Sequence, residues 1–347
     1  MKALVKTERG CTDLKLMDIP KPVCPDNGVL LKVRVVAVCG SDIHYYKDLE
    51  PMPIPQVMGH EFCGDIVEVG KDVSGWEIGD FVISRVPLYP CGECPECRDG
   101  HPERCRSRKS AGLQTQGAYT EYIVSFPNLL YRVPEGVSER MAACCEPSAV
   151  CLHAVKRFHV RPEWTVAVSG VGMIGLLTIQ FLHIYGVKNI IAIGLDSDAP
   201  KRFPIAEKFG AVKTINGQHR SAAEQVLEYT GGRGVDLAID CVGAVPAIDE
   251  LFKMMARGGT LGAIGVPGPD ARVSVNWNKF VWGSQSVISS FYSAPEDWEE
   301  LIGYMKDGTL SFEEVFTHDL KLEEWEQVFK NASNPNYVKA VFRPNAV

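Results

Sequence analysis

Two patterns of hydrophobic and polar residues divide the chain of 347 residues. Up to about residue 150, short runs alternate between apolar and polar positions and are separated by Gly and Pro, as at residues 30–38 and in GDIVEVG and GDFVIS. Such alternation is typical of β-strands with one buried face. We therefore predict a β-rich domain in this part of the chain.

After residue 162 the pattern changes to alternating strands and helices. The apolar segments WTVAVSG, NIIAIG, VDLAIDCVG and GTLGAIGV are predicted strands, and the runs between them, such as residues 173–185, are predicted helices. This order is typical of a parallel sheet that is covered by helices on both faces. The predicted fold class is therefore α/β.

The last part of the chain, from about residue 290, has a mixed pattern. It predicts helices at residues 295–306 and 322–331 and a short strand at residues 337–342. This segment has too few apolar residues to form a core of its own. We expect it to pack on the first domain.

Charge and hydropathy narrow the range of partners. The chain has 43 acidic and 36 basic residues, a formal net charge of −7, and the basic residues are scattered. We expect neither a nucleic acid nor a membrane as a partner, because the sequence shows no basic stripe and polar residues interrupt its most apolar segment, residues 171–187. The charged N-terminal sequence MKALVKTERG lacks the apolar run of a secretion signal. We expect a cytoplasmic protein.

Four of the twelve cysteines are closely spaced: Cys91, Cys94, Cys97 and Cys105. Dense Cys-x-x-Cys repeats in a reducing compartment usually bind metal, although incidental or redox-active thiols are the alternative. Four sulfur ligands close a tetrahedron around Zn²⁺ and leave no open position, so the predicted site is structural. A zinc-ribbon nucleic-acid module would use the same quartet, but the surrounding segment has no Phe, Tyr or Trp on which bases could stack.

A second set of possible metal ligands is distributed along the chain: Cys39, His60, Glu61 and Glu146. Each residue alone has a simpler interpretation, since single Cys and His residues are often packed in the core and Glu146 precedes a proline at a possible helix start. Together they offer sulfur, nitrogen and oxygen donors. Three protein ligands would bind the metal firmly, and its fourth coordination position would stay free. That composition is typical of a catalytic zinc site.

A third motif, Gly170-x-Gly172-x-x-Gly175, follows a predicted strand and opens a predicted helix. In this context it predicts a dinucleotide-binding turn. The backbone N–H groups at the start of the helix, which include those of Met173 and Ile174, would receive the pyrophosphate. The alternative is a turn in which the glycines serve only to pack the helix on the strand.

These motifs resemble those of the zinc-dependent medium-chain dehydrogenase/reductase family, in its sorbitol (polyol) dehydrogenase-like branch. The resemblance spans nearly the whole chain and depends on CGSDIHYY, GHEFCG, the four-cysteine loop, the Glu-Pro step at Glu146, the glycine turn and the strand start at Gly258 and Gly259. It implies a chaperonin-10-like β-rich catalytic domain, residues 1–150 and 290–347, and a Rossmann doubly wound parallel-sheet cofactor domain, residues 151–289. It also implies a homo-oligomer, either a dimer or a tetramer.

The resemblance further implies roles for individual residues. Cys39, His60 and Glu61 match the catalytic zinc ligands, and Glu146 matches a carboxylate beside the metal that acts as a ligand or through a bridging water. Ser41 matches the hydroxyl that takes the proton of the substrate alcohol. His44 matches the group that relays this proton toward solvent.

The choice between NAD and NADP stays open. An acidic residue is expected about 20 residues after the glycines, but Gly194 occupies the position where the family pattern has this acid. Asp196 is a candidate substitute that would bind the ribose. Alternatively, Ser197, Lys201 and Arg202 could hold a 2′-phosphate, although a basic pair is also common at an exposed helix start.

The expected activity is the zinc-dependent, NAD(P)-linked interconversion of a secondary alcohol of a polyol or sugar derivative with its ketone. One feature of the sorbitol branch is missing, since Phe291 and Tyr292 are present but the arginine that accompanies them in the family pattern is not. The alternatives are a threonine 3-dehydrogenase-like activity and, in another class, a zinc- and nucleotide-binding protein without turnover.

Overall fold

The structure is a computed structural model that describes residues 1–10, 14–86, 88–331, 334 and 336–346. The chain forms two compact units. The first consists of Met1–Glu146 and Phe316–Val347, and the second consists of Pro147–Val315.

The first unit is built mainly from strands. Its N-terminal part contains β1 (Lys2–Lys6), β2 (Leu14–Asp18), β3 (Val29–Ala37), β4 (Gln56–Val57), β5 (Glu61–Val69), β6 (Phe81–Ser84), β7 (Leu88–Tyr89), β8 (Lys109–Ser110), β9 (Tyr122–Ser125) and β10 (Leu130–Arg132). The helices in this part are α1 (Gly40–Tyr46), α2 (Pro95–Arg98) and α3 (Glu139–Ala143), with 3₁₀ turns at Pro102–Arg104 and Pro127–Leu129.

The second unit alternates between strands and helices. Its strands are β11 (Thr165–Ser169), β12 (Asn189–Gly194), β13 (Lys213–Asn216), β14 (Val235–Asp240), β15 (Met255–Ala263) and β16 (Ser286–Ser289). Its helices are α4 (Cys145–Arg157), which begins at the end of the first unit, α5 (Met173–Ile184), α6 (Arg202–Lys208), α7 (Ala222–Tyr229), α8 (Val245–Met254), α9 (Trp277–Trp282) and α10 (Pro295–Lys306), with 3₁₀ turns at Asp196–Asp198 and Glu313–Val315.

The strands of the second unit form one parallel sheet in the order β13-β12-β11-β14-β15-β16. The chain starts at a central strand, winds outward to β13, and then returns to build the other half, which is the doubly wound order of a dinucleotide-binding fold. The predicted parallel sheet is confirmed. The edge strands β13 and β16 and the helices α7 and α9 were not predicted individually, because each of these segments has at most eight residues.

The end of the chain returns to the first unit. It adds β17 (Phe316–Lys321), a 3₁₀ turn (Leu322–Glu324), α11 (Glu326–Phe329) and β18 (Lys339–Arg343). The main sheet has the order β10-β6-β5-β3-β18-β17, and β9 also pairs with β3. Because β3 pairs antiparallel with both β5 and β18, the start of β5 and the start of β18 meet at the carboxyl end of β3.

One predicted boundary is wrong for the structure. Residues 290–315, which the sequence analysis assigned to the first domain, belong to the second unit. The physical reason is the packing of α10, whose Trp298 and Leu301 are buried and whose Asp297 carboxylate lies 2.7 Å from His153 Nδ1 and 3.0 Å from Lys156 Nζ of α4. Only β17 and the residues after it join the sheet of the first unit.

The apolar segment at residues 171–187 forms α5, which has 12 residues and is buried in the second unit. Within the described residues, none of the helices combines the length and the apolarity that a membrane span requires.

Candidate active site

Three of the predicted ligands meet in the first unit. One donor atom each from Cys39, His60 and Glu61 lies within 4.8 Å of the other two. His60 has a side chain that is only 11% exposed, and Glu61 is buried. The spacing brings a sulfur, a nitrogen and an oxygen donor together, as a single metal ion requires.

Local structure explains how the chain presents these side chains. Cys39 follows β3 and is the N-cap of α1, where its backbone N–H donates to the Asp42 carboxylate at 2.9 Å. Glu61 is the first residue of β5, and His60 precedes it, directly after Gly59. Gly59 has φ +87°, and a Cβ there would lie 2.7 Å from the ring of Tyr119, so no other residue fits this turn without strain.

Asp42 is a buried acid of the site that the sequence analysis did not assign. Its Oδ2 accepts hydrogen bonds from Tyr119 Oη at 2.7 Å and from the Cys39 N–H, and its Oδ1 lies 3.7 Å from His60 Nδ1. A carboxylate at this nitrogen orients the imidazole so that Nε2 is free to bind a metal. Burial raises the pKa of Asp42, although the charge of His60 and the hydrogen bond from Tyr119 lower it.

Glu61 has a positively charged partner at the other end of the chain. Lys339 Nζ lies 2.6 Å from Glu61 Oε2 and donates to the Val38 carbonyl at 2.8 Å. Both side chains are buried. Burial alone lowers the pKa of Lys339, but the Glu61 carboxylate more than reverses this effect, and the pKa lies well above its usual value.

Glu146 lies near the three ligands but outside their group. It belongs to the first turn of α4 and is not among the residues whose donor atoms lie within 4.8 Å of one another. Burial raises the pKa of Glu146 to about 7, although the charge of His60 lowers it. The carboxylate is therefore close enough to His60 to interact with it electrostatically.

An unsatisfied oxygen supports a metal at this place. Among the described residues, Glu61 Oε1 is buried and has no hydrogen-bond partner, whereas His60 Nδ1 and Asp42 Oδ1, which also lack one, face each other at 3.7 Å. Buried polar groups are rarely left without a partner, so each such group calls for an explanation. A mixed set of thiolate, imidazole and carboxylate donors fits Zn²⁺.

Ser41 and His44 lie on α1, next to the ligand Cys39. They are three residues apart, so they share one face of the helix. Ser41 is half-buried, whereas the side chain of His44 is 52% exposed and its Nδ1 lies 3.9 Å from Glu50 Oε1. The pair thus runs from a partly buried hydroxyl to an imidazole that contacts solvent.

The four clustered cysteines form the second donor group. The sulfur atoms of Cys91, Cys94, Cys97 and Cys105 lie within 4.8 Å of one another, with Sγ–Sγ distances of 3.3 Å between Cys94 and Cys97 and 3.6 Å between Cys91 and Cys105. Backbone N–H groups of Glu93 and Cys94 lower the pKa of Cys91 to about 7, whereas burial and the neighbouring thiols raise the pKa of Cys94 and Cys97. A lowered thiol pKa favours the thiolate, which is the metal-binding form. The quartet fits a closed tetrahedral zinc site.

The glycine turn is tightly packed and leaves the start of α5 without a side-chain cap. Gly170 has φ +92°, and a Cβ on Gly175 would lie 1.8 Å from the Gly170 carbonyl oxygen, so both positions need glycine. Gly172 is the N-cap of α5 and has open space where a Cβ would be, and no side chain caps the helix. The N–H groups that open α5, beginning with Met173 and Ile174, are therefore available to an anion.

The residues after β12 separate into two groups. Asp196 and Ser197 are exposed, and the Asp196 carboxylate accepts from Asn216 Nδ2 at 2.5 Å and lies 2.7 Å from His219 Nε2. These two partners lower the pKa of Asp196. Arg202, in contrast, donates to the carboxylate of Asp198 at 2.8 Å. Sequence reasoning missed Asp198, although its position four residues before Arg202 on a predicted helix start is a recognisable signal.

The protein matches two family models. Residues 25–135 match the alcohol dehydrogenase GroES-like domain, and residues 173–307 match the zinc-binding dehydrogenase domain. GroES is a chaperonin-10, so the first match confirms the expected class of the β-rich domain. The second match extends past residue 289, in agreement with the placement of α10 in the second unit.

Similar proteins cover almost the whole chain. The sorbitol dehydrogenase of Halalkalibacterium halodurans is 32% identical over 99% of both chains, and the D-arabitol-phosphate dehydrogenase of Enterococcus avium is 31% identical over 99% of this chain and 98% of its own. A protein from Sinorhizobium meliloti 1021, described as a zinc-binding dehydrogenase and crystallised with NADP, superposes with a TM-score of 0.92 at 26% identity over 99% of both chains. The chain therefore belongs to the zinc-dependent medium-chain dehydrogenase/reductase family, in its sorbitol dehydrogenase-like branch, and is an alcohol dehydrogenase whose cofactors are zinc and NAD(P).

Proposed function

We propose that the protein oxidises a secondary alcohol of a polyol or a sugar derivative to the ketone, and catalyses the reverse reduction, by hydride transfer with a nicotinamide cofactor. The observation that carries this proposal is the group formed by Cys39, His60 and Glu61, which offers three metal donors beside a hydroxyl and an imidazole. The sorbitol and arabitol-phosphate dehydrogenases that resemble the chain support a polyol or a polyol phosphate as the substrate class.

The proposed ligands form two zinc sites with different purposes. Cys39, His60 and Glu61 would hold the catalytic ion, with Glu146 beside it, and the quartet at residues 91–105 would hold a structural ion. When bound, zinc supplies Lewis acidity at the substrate oxygen and the nicotinamide supplies the hydride acceptor. Asp42 fixes the orientation of the His60 ring.

Ser41 and His44 carry the proton in this proposal. In oxidation the alcohol loses a hydride from carbon and a proton from oxygen, and Ser41 accepts that proton while its own proton passes on toward His44. The exposed imidazole of His44 then releases a proton to water. Intact Ser41 and His44 argue against a binding protein without turnover.

We propose NAD as the preferred cofactor. The carboxylate of Asp196 is 49% exposed and would accept hydrogen bonds from ribose hydroxyls, whereas it would repel a 2′-phosphate. Arg202 is a poor candidate for binding that phosphate, because Asp198 already neutralises its charge. Gly170, Gly172 and Gly175, with the N–H groups of Met173 and Ile174, would hold the pyrophosphate.

The substrate class is tested with a panel that follows the absorbance of the reduced nicotinamide. Polyols, polyol phosphates, simple secondary alcohols and threonine are each offered with NAD and with NADP, to the wild type and to Cys39→Ser. We expect the highest kcat/KM with a polyol or its phosphate and loss of activity in Cys39→Ser. Preference for threonine would replace the proposed substrate class, and absence of turnover with every compound would support the non-enzymatic alternative.

We also propose that the protein is a cytoplasmic homodimer. Strand β16 ends the parallel sheet of the second unit, so its outer backbone groups lack strand partners within the described residues. Exposed apolar residues lie in β16 and in the chain segments on either side of it, and we name them the β16 edge surface: Val266, Trp277, Val281, Trp282, Val287 and Phe291. Open apolar edges are usually covered in native proteins.

A second copy of the chain is the occupant that fits the β16 edge surface. Two β16 strands that run antiparallel across a twofold axis would pair each other's free backbone groups and extend the sheet. The exposed Trp277 and Trp282, 70% and 71% accessible, are the residue type that most often dominates binding energy at such interfaces. The opposite edge strand, β13, begins with exposed Lys213, a residue that disfavours edge pairing.

A further inference from the structure

Lys339 is a buried lysine that has no role so far, since it is neither a proposed zinc ligand nor part of the proposed proton path. Its side chain is 4% exposed, and it is the first residue of β18. Because Ala37 of β3 pairs with Glu61 of β5 on one side and with Val341 of β18 on the other, the sheet register brings Lys339 against Glu61. The contact is therefore built into the central strands of the first unit.

An ion pair in this position needs a reason other than stability. Removing an ammonium and a carboxylate from water is costly, and a well-packed apolar pair is often at least as stable. The surroundings suggest the reason, because Cys39 and Glu61 together already balance the charge of a divalent cation, and the buried carboxyl groups of Asp42 and Glu146 lie nearby. Lys339 offsets this excess of negative charge.

The two oxygens of Glu61 are not equivalent. Oε2 is held by Lys339 at 2.6 Å, while Oε1 is buried and, among the described residues, has no hydrogen-bond partner. A carboxylate with both oxygens free can bind a metal through one or both of them. The ion pair leaves only one oxygen for the metal.

We propose that Lys339 is a positioning residue that restricts Glu61 to a single-oxygen contact with the catalytic metal and thereby keeps one coordination position free for the substrate hydroxyl. This inference rests on the proposed assignment of Cys39, His60 and Glu61 as metal ligands. A zinc ion with three protein donors keeps such an open position, whereas a fourth protein donor would fill it.

The test uses the full-length protein with zinc in the cysteine quartet and Co²⁺ at the catalytic site, so that the visible absorption reports the coordination number of that site alone. In Lys339→Met, which removes the charge and keeps the length of the side chain, Glu61 can bind through both oxygens. We expect weaker absorption per bound Co²⁺, as a higher coordination number produces, and an affinity for Co²⁺ that is raised about tenfold by the loss of a nearby positive charge. In Lys339→Met with Glu61→Gln the wild-type intensity should return, since an amide offers only one oxygen.

A second substitution gives the opposite expectation. In Lys339→Arg, the planar guanidinium can hold both oxygens of Glu61, so the affinity for Co²⁺ should fall by about tenfold. This variant keeps the proposal testable if Lys339→Met fails to fold.

Lys6→Met is the matched control for loss of a buried lysine. Lys6 is also fully buried in the first unit, donates to the Tyr46 carbonyl at 3.2 Å and lies 3.7 Å from an Asp48 oxygen. The substitution Lys6→Met should lower the melting temperature without changing the Co²⁺ spectrum. A Lys339→Met protein that loses stability like Lys6→Met but keeps the wild-type spectrum and affinity would overturn the proposal. If Cys39→Ser leaves the Co²⁺ spectrum of the wild type unchanged, the assignment of the ligands fails instead.

Discussion

Asp196 and Asp198 are two residues apart, but their carboxylates have different surroundings. The Asp198 side chain is 9% exposed, accepts the Leu195 N–H at 2.8 Å and pairs with Arg202. It therefore stabilises the turn after β12. The Asp196 carboxylate faces solvent, and Asn216 and His219 hold it in place from the end of β13 and the residues that follow. Of these two carboxylates, only that of Asp196 is available to a ligand.

Asp196→Ala should therefore change the preference between the two cofactors. Loss of a charged hydrogen-bond acceptor for ribose costs about 1.5–3 kcal/mol, which weakens NADH binding by about tenfold to a hundredfold. Binding of NADPH should be unchanged or tighter, because a negative charge near the 2′-phosphate is removed. Fluorescence titration with both nucleotides measures the ratio, and Asp270→Ala, another exposed acid of the second unit, is the control. Equal losses for NADH and NADPH would contradict the assignment.

The cysteine loop shows how a metal can replace a hydrophobic core. Between β7 and β8 the chain forms only the four-residue helix α2 and a 3₁₀ turn, and neither contains a buried residue. Cys105, in contrast, is 1% exposed and anchors the loop. A closed metal site contributes its binding free energy directly to the folding of such a segment.

Removal of one sulfur ligand should thus affect stability more than removal of a catalytic ligand. We expect two zinc ions per wild-type chain and one in either Cys105→Ser or Cys39→Ser. The melting temperature should fall by roughly 5 °C or more in Cys105→Ser, since a loss of a few kcal/mol lowers the melting temperature of a unit of this size by that much. In Cys39→Ser it should change little. Cys24→Ser, a half-buried free thiol outside both sets, is the control for both measurements. Equal destabilisation by the Cys39 and Cys105 substitutions would contradict the division into one catalytic and one structural site.

The local sequence pattern predicted where helices and strands form better than it predicted which unit they pack in. The bounds of α10 follow from Pro295 at its first turn and from its apolar periodicity, and the structure has the same bounds. Its assignment to a unit failed, because the bonds of Asp297 to His153 and Lys156 join residues that are far apart in sequence. The predicted helix at residues 322–331 is a 3₁₀ turn followed by the short α11.

The same distinction applies to the candidate site. Cys39, His60 and Glu61 could be chosen because their donor atoms and flanking motifs are visible in the sequence. Lys339 could not, since a lysine near the C-terminus gives no local sign of the sheet register that carries it to Glu61. Asp42 had a weak local signal, an acid three residues after the N-cap of a helix.

At the scale of the whole molecule, each unit has its own binding chemistry. The two groups of possible metal ligands lie in the first unit, and the glycine turn with Asp196 lies in the second. Metal content therefore reports on the first unit, and nucleotide affinity reports on the second. The β16 edge surface belongs to the second unit alone, so a change there tests assembly without altering a proposed metal ligand.

Two valines at opposite edges of the same parallel sheet provide a matched test of the proposed dimer. Val287, in β16, is 50% exposed, and Val212, which precedes β13, is 57% exposed. In Val287→Glu, a twofold axis near β16 would bring the new carboxylates of the two copies close together, and their repulsion would oppose pairing of the two strands. Each copy should lose about 2 kcal/mol, and because a symmetric interface counts the change twice, the dimer dissociation constant should rise about a thousandfold. Val212→Glu should leave the wild-type mass unchanged when both are followed by light scattering or sedimentation over a range of concentrations. A wild type that is monomeric throughout, or two variants that dissociate alike, would show that β16 is not the interface.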